Sequence, residues 1–202
     1  MNSQKYYPTY ILIALNVAIY IYTAYLSGNA LETNINVQAI FGQYNLLVYN
    51  GLYYQLFTSM FIHASIIHLA GNMLFLLIFG LRGEEFFSLP EYLGIYLIGG
   101  LVGNLLSLTL GPDLISVGAS GAIFSLFGAC VIYNRRSVRQ SILGALVYAF
   151  FLFFINVGPS VNILAHLGGL AFGLLIGYLI ASRRKSHEED TQFKYTYTTT
   201  PF

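Results

Sequence analysis

Four polar side chains stand out because they interrupt strongly apolar runs: His68, Asn72, Ser120 and His166. A serine hydroxyl becomes a nucleophile when a base takes its proton, and neutral imidazole is the usual base, so Ser120 and His166 have the makings of a minimal catalytic dyad. An oxyanion on a substrate carbonyl would then need preorganised donors. The Ser120 backbone N–H, the Asn72 amide and the His68 ring N–H are of the right type. Ser120 sits in Gly118-Ala119-Ser120-Gly121, where glycines permit a tight turn and leave the hydroxyl and N–H unobstructed. The tetrapeptide is not the strand-to-helix Gly-x-Ser-x-Gly elbow of soluble hydrolases. Its weight comes from His166, expected at matching depth, with both residues one to two turns below the outer ends of their helices. His68 and Asn72, four apart, share a helical face. The alternatives are a serine bonded back to its own helix, a histidine bonded to a carbonyl, and a His68–Asn72 pair that only holds helices together.

Metal chemistry is the other reading of His63, His68 and His166. On one helix His63 and His68, five apart, would diverge, no His-Glu-x-x-His is present, and no carboxylate lies at that depth. The only aspartates, Asp113 and Asp190, fall in a loop and the tail, which excludes a paired-aspartate intramembrane protease. Cys130 is the single cysteine, so there is no intrachain disulfide and no cysteine metal cage. Neither metal nor cofactor is expected.

The elements that must position these groups are membrane helices. Of 202 residues, 56% are hydrophobic and 8% charged, and mean hydropathy is +0.67. A soluble domain carries about 25% charged residues. The net charge of +1 gives no reason to expect nucleic acid as a partner; lipid surrounds the chain instead. Hydropathy and turn residues predict six spans, near Pro8–Leu26, Ala64–Leu81, Leu89–Leu110, Gly118–Tyr133, Ser141–Val157 and Ser160–Ala181. The first is read as an uncleaved span. One long connection, residues 27 to 63, is rich in Tyr, Leu and Phe and is expected partly in the interface. Residues 156–162 could cap the outer side. The expected organisation is a membrane domain over residues 1–182 and a polar, mobile tail over 183–202.

All nine Lys and Arg residues fall on one side of a six-span topology, none in the other three loops. The positive-inside rule makes that side cytoplasmic, with both termini and a long first extracytoplasmic loop. Within the spans, Gly169, Gly173 and Gly177 repeat every four residues, and Gly121, Ser125 and Ala129 make a matching stripe. Two helices bearing such stripes can pack almost backbone to backbone, which would bring Ser120 towards His166.

From about Tyr54 to Gly177 the chain resembles the rhomboid intramembrane serine proteases. The resemblance rests on His63-Ala-Ser-Ile-Ile-His68-Leu-Ala-Gly-Asn72, on Gly118-Ala119-Ser120-Gly121, and on Ala165-His166-Leu-Gly-Gly169 with its following glycine repeat. It implies an all-α, polytopic six-helix bundle, with Ser120 as nucleophile, His166 as general base, and His68, Asn72 and the Ser120 N–H as oxyanion hole. It also implies that Phe124 packs on the His166 ring, and that substrates are membrane proteins cut near the outer end of a transmembrane helix. Tyr54-Gln55 stands where many members carry Trp-Arg, a difference expected to alter anchoring of the first loop. The compact chain, with no targeting peptide or added soluble domain, suggests a prokaryotic plasma membrane. A catalytically silent relative that binds membrane helices would be expected to lack the serine or the histidine. A transporter would carry polar residues from face to face, whereas these cluster in the outer half.

Overall fold

The computed structural model describes residues 7–138 and 162–198, with side chains described for residues 7–133 and 162–184. Helix α1 spans Pro8–Ser27. Pro8 opens it, where a missing N–H costs no hydrogen bond, and Gly28 closes it at φ 62° with its N–H returned to the Tyr25 carbonyl at 3.1 Å. The connection that follows is built from short pieces: α2 (Ile35–Phe41), β1 (Gln43–Tyr44), α3 (Asn45–Tyr49), α4 (Gln55–Thr58) and a 3-10 turn over Ser59–Phe61. Tyr54 and Gln55, where the sequence departs from the family pattern, tie these pieces together. The Tyr54 hydroxyl donates to the Ile40 carbonyl at 3.1 Å, and the buried Gln55 side chain accepts from the Tyr44 N–H at 2.9 Å while donating to the Ala39 and Ile40 carbonyls at 2.8 and 3.1 Å.

Helix α5 (Ile66–Phe86) begins at Ser65, whose hydroxyl accepts from the His68 N–H at 3.1 Å. It overruns its expected end at Leu81 by five residues. The expected break at Arg82-Gly83-Glu84-Glu85 is instead the last turn, where Arg82 pairs with Glu85. Gly83 serves packing there, since a Cβ would stand 3.1 Å from the Tyr92 ring. Helix α6 (Leu89–Ser107) has Glu91 accepting from the Ser88 N–H and hydroxyl, both at 2.8 Å, and ends in a 3-10 turn over Leu108–Leu110. Strand β2 (Ile115–Ser116) pairs antiparallel with β1, Gln43 opposite Ser116 and Tyr44 opposite Ile115. This pairing and an isolated antiparallel bridge between Glu32 and Ser65 are the β additions to an otherwise helical architecture among the described residues.

Helix α7 (Ser120–Val138) is the central rod, with Ala122, Leu126 and Ala129 fully buried against its neighbours. Helix α8 (Ile163–Thr198) lies along it. The stretch from residue 183, expected as a mobile tail, continues α8 as helix to Thr198. No glycine or proline interrupts residues 182–198, and opposite charges recur four apart at Arg184–Glu188 and Lys185–Glu189.

Among the described residues four helices are long and apolar enough to cross a membrane, Pro8–Ser27, Ile66–Phe86, Leu89–Leu110 and Ile163–Arg184, with Ser120–Tyr133 a shorter apolar helix. The expected span Ser141–Val157 and most of the expected outer cap, residues 156–161, lie outside the described residues. The outward faces carry exposed Ile11, Ile21, Ile67, Leu74, Ile98 and Leu175, the pattern of a protein solvated by lipid.

Candidate active site

The two small-residue stripes meet along their length. A Cβ added to Gly169 would lie 2.0 Å from the Gly121 carbonyl oxygen, one on Gly173 2.0 Å from that of Ser125, and one on Gly177 2.6 Å from that of Ala129. Only hydrogen leaves room for α7 and α8 to run this close. Helix α6 closes in from the other side, with a Cβ on Gly103 falling 2.3 Å from the Ala165 carbonyl oxygen. Ser125, within the α7 stripe, donates its hydroxyl to the Ile95 carbonyl at 2.8 Å and so binds α7 to α6 as well.

At the upper end of this seam His166 Nε2 lies 2.7 Å from Ser120 Oγ, within hydrogen-bond range. Phe124, one turn below the serine, stacks on the imidazole with ring centroids 4.5 Å apart and planes 30° apart. Both residues sit higher in their helices than expected: Ser120 is the first residue of α7 and His166 the fourth of α8. Local chemistry explains each start. Gly118 at φ 128° is in a conformation closed to helix, so α7 begins only after it. The Asn162 side-chain oxygen accepts from the Ala165 N–H at 3.0 Å and caps α8, which therefore starts beyond the expected Ser160. A helix start leaves N–H groups without intrahelical acceptors and carries the positive end of the helix dipole. At α7 that end coincides with Ser120.

His68 and Asn72 project from the first two turns of α5 into the same space. A Cβ on Gly118 would stand 2.9 Å from His68 Cε1, 3.0 Å from its Nε2 and 3.8 Å from Ser120 Oγ, so ring and hydroxyl crowd one face of that glycine. The Asn72 amide donates one N–H to the His68 carbonyl at 2.9 Å, four residues back on its own helix. All four polar residues line a cavity of about 620 Å³ together with Asn104 and Asn162, and no carboxylate lines it among the described residues.

His63 is not a divergent neighbour of His68. Because α5 starts only at Ile66, the intervening turn folds back and the two rings meet edge to face, 5.3 Å between centroids and 65° between planes. His63 is fully buried, which pushes its imidazole down to about 3, with the neighbouring His68 adding to the effect and the Phe61 backbone opposing it. It is a neutral packing partner of the His68 ring.

Sequence reasoning missed the groups that hold the Ser120 turn in place. The Asn162 amide donates to Ser116 Oγ at 2.8 Å, and the Gly118 N–H donates to the Ser59 carbonyl at 2.9 Å. Ser59 lies in the connection before the second expected span and Asn162 at the outer end of the last, places where a single polar residue draws no notice. Asn104 gave a usable signal, an amide inside the apolar run of α6.

The rhomboid domain model matches residues 50–183, about two thirds of the chain. RHOMBOID-like protein 6, mitochondrial, of Arabidopsis thaliana is 38% identical over 143 residues, 68% of this chain and 47% of that protein. A Bacillus subtilis protein named as a candidate rhomboid protease is 33% identical over 150 residues, 70% of this chain and 74% of its own length. Rhomboid-like protease 3 of Toxoplasma gondii is 33% identical over 127 residues, 59% of this chain and 48% of that protein. The match thus spans about half the length of the plant and Toxoplasma relatives. With the family domain covering about two thirds of the chain, all four polar residues included, the chain belongs to the rhomboid family.

Proposed function

We propose that this protein is an intramembrane serine endopeptidase that hydrolyses peptide bonds in or near transmembrane segments of membrane proteins, with a Ser120–His166 dyad and no cofactor. The observation that carries this reading is the 2.7 Å approach of His166 Nε2 to Ser120 Oγ at the end of a seam of membrane helices. Ser120 Oγ attacks the carbonyl carbon as Nε2 takes its proton. The C–N bond then breaks, the same proton passes to the departing amine, and an acyl-enzyme remains. A water deprotonated by His166 hydrolyses the ester and frees the serine. Negative charge on the carbonyl oxygen is met by the Ser120 N–H at the positive end of α7, the His68 ring N–H and the second N–H of the Asn72 amide. The stacked Phe124 holds the imidazole plane while its charge changes.

The same reading takes the membrane domain as six spans over residues 1–182, with 183–202 as an extension beyond it. Arg82 lies in the last turns of α5 and Arg184 at the end of the apolar stretch Ile163–Arg184 of α8, both on the side opposite the site. The positive-inside rule assigns that end, with both termini, to the cytoplasm, and the site and the long first loop to the far side.

The test is cleavage of a transmembrane reporter by the purified protein in liposomes. Ser120→Ala and His166→Ala should each lower turnover by at least about a thousandfold while leaving the thermal midpoint near that of the unaltered protein. Full activity in both variants would overturn the reading, and leave a membrane-helix-binding relative as the alternative.

A further inference from the structure

The turn that delivers Ser120 is held from behind by α6, and two routes to α6 meet on one residue. The Gly118 N–H donates to the Ser59 carbonyl at 2.9 Å. Ser59 is held in turn by Asn104, whose amide donates to Ser59 Oγ at 2.9 Å and to the Leu56 carbonyl at 2.7 Å. A second route leaves the other end of the same segment. Ser116 in β2 pairs with Gln43 in β1, and the buried Gln43 amide donates to the Asn104 carbonyl at 3.0 Å and to Ser107 Oγ at 2.9 Å. The Ser107 hydroxyl itself donates to the Asn104 carbonyl at 2.8 Å. Both ends of residues 116–118 are therefore referred to Asn104, one through its side chain and one through its carbonyl.

This matters because Gly118 sets the turn, in a backbone conformation that side-chain-bearing residues rarely adopt. At φ 128°, with the His68 ring against its open face, a small rotation of its peptide re-aims the backbone that leads to the Ser120 N–H and shifts the glycine against His68. Donors to an oxyanion act through direction, and a displacement of a fraction of an ångström weakens them in the transition state more than in the ground state. Asn104 is 6% exposed, and its amide donates to Leu56 and Ser59.

We propose that Asn104 is a positioning residue for the oxyanion-binding turn, acting through Ser59 on the Gly118 N–H and thereby on the direction of the Ser120 N–H. This rests on the protease reading above. It separates Asn104 from a residue that merely stabilises the bundle, because its loss should appear in turnover and in nucleophile reactivity at constant substrate affinity.

The experiment compares Asn104→Ala, Ser59→Ala, the double variant, Ser120→Ala and Thr9→Val in liposomes, on a transmembrane reporter and with a fluorophosphonate probe of Ser120. Thr9 bonds the Tyr92 hydroxyl at 2.9 Å far from the turn, so its variant loses a buried hydrogen bond without touching the site. Asn104→Ala should lower kcat by about tenfold with KM within about twofold, and slow probe labelling in parallel. Ser59→Ala, which keeps the carbonyl that accepts from Gly118, should lose about threefold, and the double variant should lose no more than Asn104→Ala alone because both act on one path. Should Asn104→Ala fail to fold, the threefold kcat loss in Ser59→Ala, absent from Thr9→Val, is the deciding measurement. Wild-type kcat in Asn104→Ala, a loss confined to KM, or an equal kcat loss in Thr9→Val at a matched thermal midpoint would overturn the assignment. If instead Ser120→Ala itself stays active, it is the protease reading that fails.

Discussion

At the scale of single residues, an imidazole 2.7 Å from a hydroxyl is held by what surrounds it as much as by the hydrogen bond. The Phe124 ring on His166 makes one such restraint, and Phe124→Ala should reduce kcat by about tenfold while Phe124→Leu, still apolar, recovers part of it; steady-state kinetics on a transmembrane reporter measures both. If His68 and Asn72 donate to the oxyanion as proposed, replacing either by alanine should cost about 100-fold in kcat, less than loss of the nucleophile, because the other donors would remain. His63 gives a pH signature. Its folded pKa of about 3 lies below the ordinary 6.5, so between these values the unfolded chain binds the proton that the folded chain refuses. Stability should therefore fall as pH drops from about 6.5 towards 3, and His63→Leu should flatten that slope in thermal unfolding followed across pH. Ser120, His166, His68 and Asn72 were legible as residues because each is a polar group in an apolar run, where its cost demands a reason. Ser59 and Gln43 were not, since they sit in the connection between expected spans and act through backbone carbonyls or β pairing that only the folded chain brings together.

At the scale of elements, α7 and α8 approach so closely that side-chain volume decides whether they pack. A methyl on Gly173 would meet the Ser125 carbonyl oxygen at 2.0 Å, a backbone atom that cannot swing aside, whereas a methyl on Gly71 meets nothing within 4 Å. Gly173→Ala should destabilise the protein by about 1–3 kcal/mol, and Gly71→Ala should leave the thermal midpoint nearly unchanged; unfolding in detergent compares the two directly. The stripes themselves were readable, because a four-residue spacing of small residues has a direct geometric meaning. Helix ends were less so. Gly83 reads as a breaker in sequence yet lies inside α5 against Tyr92, and Asn162 sets the start of α8 through a capping bond no hydropathy profile registers.

At the scale of the whole molecule, the end opposite the site is fastened by Arg184, which donates to the Phe86 carbonyl and Glu91 at 2.6 Å each and to the Tyr133 hydroxyl at 2.9 Å. One guanidinium thus joins α5, α6, α7 and α8. Because the ion pair is part exposed, Arg184→Ala should cost only on the order of 1 kcal/mol, read as a small drop in thermal midpoint. The helical architecture and the family were visible from composition and motifs, while the ordered connection between α1 and α5 was not, since its short helices and strand are set by Gln55 and Gln43 in place of any apolar periodicity. The flush seat of three glycines against α7, directly beneath the reacting pair, has a consequence for turnover. Rocking these two rods cannot prise nucleophile and base apart without breaking backbone contact over two full turns. In the proposed protease the pair would therefore stay assembled between one polypeptide and the next, like a vice whose jaws are cast from a single block, and whatever yields to admit a substrate would belong to another part of the molecule.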